Sequence, residues 1–306
     1  MKRAIRAEAA IVLICALAAA PGCSVREHAA RTLGDALAAG GDVYAADDDI
    51  EFVGAATPFG LKTIESLLAV VPDHRSLLLA AARGFTQYAY VYIQSPAEET
   101  EERDVAASYA QRARARRMYL RARDYGLRGL RLEGAAATQK LRADPVTALE
   151  STTREDVALL YWTGLAWAAA ISLGKDDPAL VSGLPAVDAL IQRAAALEPD
   201  FDHGALRTFL IGYEVNRPNA APDAIARSRA HFARAIELSG GRQAGPYVSL
   251  AESVAVASRD RREYETLLAR ALALDPGARA DWRLVNLVMQ RRARRLLARA
   301  DEFFPE

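Results

Sequence analysis

The sequence predicts an all-α fold, a superhelix of repeated helical hairpins, and three observations carry that prediction. Ala196-Leu197-Glu198-Pro199 and Ala273-Leu274-Asp275-Pro276 each close an Ala-rich amphipathic stretch with a Pro where the helix must stop. A small residue recurs at the position where two helices touch: Ala122, Ala194, Ala235 and Ala271, each with Tyr119, Ile191, Phe232 or Leu268 three residues earlier on the same face. No apolar–polar alternation of strand length competes with these patterns.

The chain opens with Lys2, Arg3 and Arg6 before an uncharged apolar run from Ala9 to Ala20. As a helix that run would be about 18 Å long, too short for a hydrocarbon core of about 30 Å. It reads as a secretory signal over residues 1–22. Ala20-Pro21-Gly22-Cys23 follows, small residues before a Cys, the pattern at which a lipoprotein signal is cut and the Cys acylated. Lipidation is therefore expected at Cys23, with an anchor that does not span the bilayer. Ser24, rather than Asp, at the next position favours sorting to the outer membrane of a Gram-negative envelope. Loss of residues 1–22 would leave 36 Lys+Arg against 38 Asp+Glu, a near-neutral balance that argues against nucleic acid as partner. Cys15 departs with the signal, so the fold must be held by packing rather than by disulfides.

Residues 23–306 read as one all-helical domain. Ser24 to Ala46 is expected to form a short helix ended by Gly40-Gly41, and Asp47-Asp48-Asp49 follows. Pro58 is expected to open the next amphipathic helix, which stops before Pro72. A longer helix runs from Ser76 to about Gln94. The stretch 98–104 is acidic, and 112–131 carries eight Arg on a helical pattern, so the two are expected to pair in charge. From Asp156 the pattern is helix, turn, helix to the end, with lengthened loops at 174–184 and 217–223 and a final helix from Asp281. The contact alanines are spaced by 72, 41 and 36 residues. A strict tetratricopeptide repeat has about 34, so the units are tetratricopeptide-like but degenerate.

Asp47-Asp48-Asp49, Pro58-Phe59, Glu65-Ser66-Leu67-Leu68, Leu77-Leu78-Leu79 and Gly84-Phe85-Thr86-Gln87-Tyr88-Ala89-Tyr90 resemble the T-component family of TRAP transporters. The phrases Tyr161-Trp162, Pro199-Asp200-Phe201, Phe209-Leu210, Tyr213-Glu214 and Pro246-Tyr247-Val248-Ser249-Leu250-Ala251-Glu252 extend the resemblance almost to Phe304. It implies a periplasmic lipoprotein that works beside a TRAP-type solute-binding protein. It also implies a homo-oligomer, with a trimer as the first expectation, and solute movement driven by a cation-coupled inner-membrane permease. The other reading of the same scaffold is a general envelope lipoprotein that assembles other proteins.

Several residue groups are candidates for that work. Phe85, Tyr88 and Tyr92 share one helical face, and Tyr161, Trp162 and Trp167 form a second aromatic group. They either fill a helical core or line a groove or channel for an apolar or aromatic part of a solute. Gln87 and Tyr90 lie on other faces of the first of these helices and are docking candidates. So are Asp47, Asp48 and Asp49, read mainly as a helix cap, and Arg112 and Arg116 in the basic run. His28, His74, His203 and His231 stand singly, without the spacing of a zinc site. No Gly-x-Ser-x-Gly, phosphate loop or nucleophilic Cys occurs, so no catalytic residue, metal or cofactor is expected.

Overall fold

A computed structural model describes residues 22–132, 135–218 and 220–305, and every regular element among them is helical. Residues 1–21 of the predicted signal lie outside the described residues. Of Cys23 only the backbone is described, in the first turn of helix α1 (Gly22–Ala39). Helix α1 does not run on to Ala46: the Gly40 N–H turns back to the Leu37 carbonyl at 3.2 Å, and a separate short helix, α2 (Gly41–Ala45), follows.

Helix α3 (Ile50–Leu68) corrects one expectation, because Pro58 lies inside it rather than at its start. An internal Pro usually costs about 3 kcal/mol. Here Asp49 fixes the helix start by accepting from the Phe52 N–H at 2.8 Å, and Ile50 and Val53 are buried. Each such burial is worth roughly 1.5–3 kcal/mol, enough to hold the first turns in line. Helix α4 (Arg75–Ala89) passes without a stop through a π-helical turn, Tyr90–Gln94, into α5 (Ser95–Thr100).

Then come α6 (Val105–Gly129), α7 (Ala135–Ala143), α8 (Pro145–Leu149), α9 (Val157–Ser172) and α10 (Pro178–Val181). The second half holds α11 (Leu184–Leu197), α12 (Phe201–Asn216) and α13 (Ala224–Ser239), then α14 (Ala244–Leu250) with a second π turn at Ala251–Ala255. The chain ends with α15 (Arg261–Leu272), α16 (Arg283–Ala298) and α17 (Ala300–Phe303). Asp104 and Asp260 cap α6 and α15 as Asp49 caps α3. Gly240, at φ 59°, and the Gly241 N–H bond to the Ile236 carbonyl stop α13, the left-handed exit that the Gly-Gly pair favours.

Helices pair as α4 with α6, α9 with α11, α12 with α13, and α14 with α15. Ala122, Ala194, Ala235 and Ala271, one on the second helix of each pair, are all buried at 1% exposure or less. The first helices, α4, α9, α12, α14 and finally α16, also pack each against the next. Helix α16 then returns to the beginning of the chain, touching α2 and α3. The Arg283 guanidinium donates to the Ala46 carbonyl at 3.0 Å, and Arg291 pairs with Glu51 at 2.6 Å. The stack is therefore closed end to end.

This closure also corrects the expected pairing of the acidic and basic stretches. Glu101 does pair with Arg112, and Asp104 caps α6. Glu98, Glu99 and Glu102 pair instead with Arg292, Arg295 and Arg299, almost two hundred residues later.

Candidate functional site

Two of the first helices, α9 and α14, leave a stripe of partly exposed positions along an otherwise buried surface. On α9 the partly exposed positions include Ala158, Trp162, Leu165 and Ala169, and on α14 with its π turn they are Gly245, Ser249, Glu252 and Val256. Close contacts join these stripes from helix to helix. Arg83 of α4 lies 5.9 Å over the Trp162 ring of α9. A Cβ on Gly245 would sit 3.5 Å from Thr208 of α12 and 4.0 Å from Met289 of α16. Arg292 of α16 reaches both Glu252 and the Tyr90 ring. The stripes thus face a common interior.

The apolar side of that interior is an aromatic ladder. Tyr161 meets Trp162 edge-on at 5.1 Å, Phe201 at 5.4 Å and Phe209 at 6.5 Å, and Phe209 stacks on Tyr213 at 5.0 Å and 26°. Tyr161 is buried, while Trp162, Phe201, Phe209 and Tyr213 are partly exposed. The ladder ends at a polar lock: the Tyr213 hydroxyl donates to Asp188 at 2.6 Å, and Arg217 reaches the same carboxylate at 3.1 Å. Burial, and then the Asp188 carboxylate that accepts its proton, push the Tyr213 phenol up. It remains a donor throughout the physiological range.

The other aromatic candidates do not assemble into one surface. Phe85 is 3% exposed, stacks on Tyr125 at 5.9 Å, and carries Arg121 over its face at 5.0 Å. Trp167 is fully buried, with Gly183 against its ring and Arg123 at 5.1 Å, and its indole N–H has no hydrogen-bond partner. Tyr88 and Tyr92 are half-buried neighbours at 5.6 Å. The Tyr92 hydroxyl donates to the Ile50 carbonyl at 2.9 Å, and burial, with Glu51 nearby, raises its pKa to about 12.

The polar side of the interior is built around Arg292. Its guanidinium is bidentate to Glu252, donates to Glu98 at 2.9 Å, and lies 5.8 Å over the Tyr90 ring. Only 15% of the Arg292 side chain is exposed. Burial works against its charge, but the Tyr90 oxygen and the two carboxylates more than offset this and hold it protonated. Arg295 adds bonds to the Ser95 carbonyl at 2.7 Å and to Glu99 at 2.6 Å. Tyr90 opens the first π turn and Glu252 is the second residue of the other, and the Tyr119 hydroxyl donates to Gln94, the last residue of the first, at 2.7 Å. π turns inside α-helices are frequent at functional sites.

The docking candidates are spread over the surface. Asp47 accepts from the Asp49 N–H at 2.8 Å and Asp49 caps α3, so two of the three acids organise the turn, while Asp48 is exposed. Gln87 is exposed on α4, and Tyr90 lies under Arg292. Arg112 pairs with Glu101, and Arg116 lies over Gly174. Composition alone gave no signal for Arg83, Arg292 or Arg295. A recurrence of Arg at 291, 292, 295 and 299 on one helix side was the available hint.

The family described as TRAP transporter T-component matches residues 46–304, from the residue before the Asp triplet to the last aromatic pair. An uncharacterized protein of Treponema pallidum (strain Nichols) is 28% identical over 266 residues, covering 86% of this chain and 82% of the relative.

Proposed function

The chain belongs to the TRAP transporter T-component family, and from that premise we propose that it is a lipid-anchored periplasmic subunit that receives a TRAP-type solute-binding protein. The family is a transporter component rather than an enzyme class, and the proposed work is binding and hand-over of solute. In this reading the closed, tetratricopeptide-like stack is the receptor and its interior the path. The ladder Trp162, Tyr161, Phe209 and Tyr213 takes the apolar part of a solute, and Arg83 meets an anionic end. Phe85 and Trp167 act as the packed backing, with Tyr88 and Tyr92 at its edge. Asp48, Gln87 and Arg116 lie on the exterior or rim where a partner docks. Acylation of Cys23 holds the assembly at the inner leaflet of the outer membrane as a homo-oligomer.

The observation that carries this reading is the family match over nearly the whole described chain, joined to a half-exposed aromatic ladder on helices that face one interior. The test is gentle crosslinking in cells, then purification of the chain and identification of what accompanies it. A TRAP-type binding protein is expected, and its absence at several crosslinker lengths would refute the docking. Labelling with a fatty-acid probe in wild type and Cys23→Ala tests the anchor, and equal labelling of both refutes it.

A further inference from the structure

We propose that the closed stack opens sideways at the junction between its last helix and its first hairpin, and that the arginines of α16 form the clasp of this lateral gate. The proposal concerns the closure itself and goes beyond the transport reading, on which it does not depend.

Every other junction in the stack is sealed by apolar packing. One buried cluster joins residues 89–210, a second joins 211–300, and a third joins 30–166. None of the three has members on both α16 and the segment 46–102. What joins these two is polar. The Arg283 guanidinium holds the Ala46 carbonyl, Arg291 holds Glu51, Arg292 holds Glu98, Arg295 holds the Ser95 carbonyl and Glu99, and Arg299 reaches Glu102 at 3.4 Å. Ile50 and Val288 are buried at the same place, yet they line a cavity of about 80 Å³ rather than a close-packed seam. Apolar contact where the ring closes is thus confined to a small group around that cavity, with Val91 and Pro96 beside Ile50 and Val288.

Such a seam opens and recloses more readily than a core. Glu51, Glu99 and Glu102 are 72%, 48% and 57% exposed, so their pairs are weak and are screened by salt. The buried element is Arg292, and its ligands come from both sides: Glu98 from the first hairpin, Glu252 from α14. Glu252 and α16 belong to the same packed unit, so when the seam parts Arg292 keeps its bidentate partner and gives up only Glu98 and the Tyr90 ring. Arg299 likewise keeps Glu302, while Arg291 and Arg295 exchange their partners across the seam for water as it opens, so the deepest charge of the clasp stays paired in both states. Both flanks also carry a π turn, at Tyr90–Gln94 and Ala251–Ala255, a helix irregularity that is frequent at functional sites. An opening here exposes the interior along its whole side, so a ligand too long to thread the ring could enter laterally.

The test uses the full chain with Cys15→Ser and Cys23→Ser, spin-labelled across the seam at Arg103→Cys and Arg294→Cys, two exposed positions outside the clasp. A reference pair spans the apolar junction of α12 with α14. Distance distributions are recorded at low salt and at about 1 M salt, where the screening length falls to about 3 Å. A second, longer distance is expected across the seam, its share rising about tenfold with salt or with Glu98→Gln, while the reference pair is unchanged. Arg291→Gln with Arg295→Gln should produce the same rise should Glu98→Gln fold poorly. A single distance that ignores salt and all of these variants overturns the gate.

Discussion

Removing Arg292 is the sharpest perturbation of this molecule. Its guanidinium is 15% exposed and shared by Glu98, at 27%, and Glu252, at 26%. Arg292→Met keeps the length of the apolar stem, takes the bidentate partner from Glu252 and leaves Glu98 with the more distant Arg295 at 3.8 Å. Deleting one side of a fully buried pair costs about 3–5 kcal/mol. Both carboxylates keep a quarter of their surface in water, which reduces this to about 2–3 kcal/mol. Urea denaturation followed by far-UV circular dichroism measures it, with a matching fall in melting temperature of roughly 5–10 °C. The cost comes from stranded charge, so Arg292→Met combined with Glu98→Gln and Glu252→Gln should return to within about 1 kcal/mol of wild type. Glu98→Gln alone should cost less than Arg292→Met, because the bidentate bond to Glu252 survives it. The reasoning fails if Arg292→Met lies within about 0.5 kcal/mol of wild type, or if the triple variant is no more stable than the single one.

Three further outcomes follow from particular contacts. Burial, then Arg207 and Arg227, lower the pKa of His231 to about 4 from 6.5, so between these values the unfolded chain binds a proton that the folded chain refuses. Stability is therefore complete above pH 6.5 and falls as pH drops towards 4, by at most about 1.4 kcal/mol per unit; His231→Gln should flatten that window, and an unchanged slope would remove His231 as its source. Asp49→Ala should cost about 1 kcal/mol through loss of the cap on α3, while Asp48→Asn should leave stability unchanged and lower binding-protein capture; the opposite pattern would exchange the roles given to the two acids. A methyl on Gly126 would run into the Thr163 hydroxyl, already bonded to the Leu159 carbonyl, so Gly126→Ala should cost about 1–3 kcal/mol in thermal unfolding, partly recovered by Thr163→Ala.

Much of this architecture is written locally. The Pro stops, the Gly-Gly exit of α13 and the Asp caps act within a turn of their own position, and the small contact alanines follow helical period, so a single chain displays them. The family likeness is of the same local kind, a set of short phrases legible in the chain alone. Pro58 is the instructive exception: its local rule says start, and buried Ile50 and Val53 with the Asp49 cap overrule it. The π turns are equally silent, since a one-residue widening of a helix leaves no compositional trace. Aromatic candidates were visible as residue types, but whether a ring becomes core, as Phe85 and Trp167 do, or half-exposed wall, as Trp162 does, depends on which neighbours cover it.

What the sequence by itself determined is the helical periodicity, the places where helices end and the family. What only the tertiary structure decided is that the acids at 98–102 answer arginines at 292–299 instead of the basic run beside them, and hence that the stack closes on itself. The physical reason is range: periodicity and capping are settled by neighbours a few residues apart, whereas the choice among many possible ion-pair partners is made by the accumulated turn of every helix pair between them.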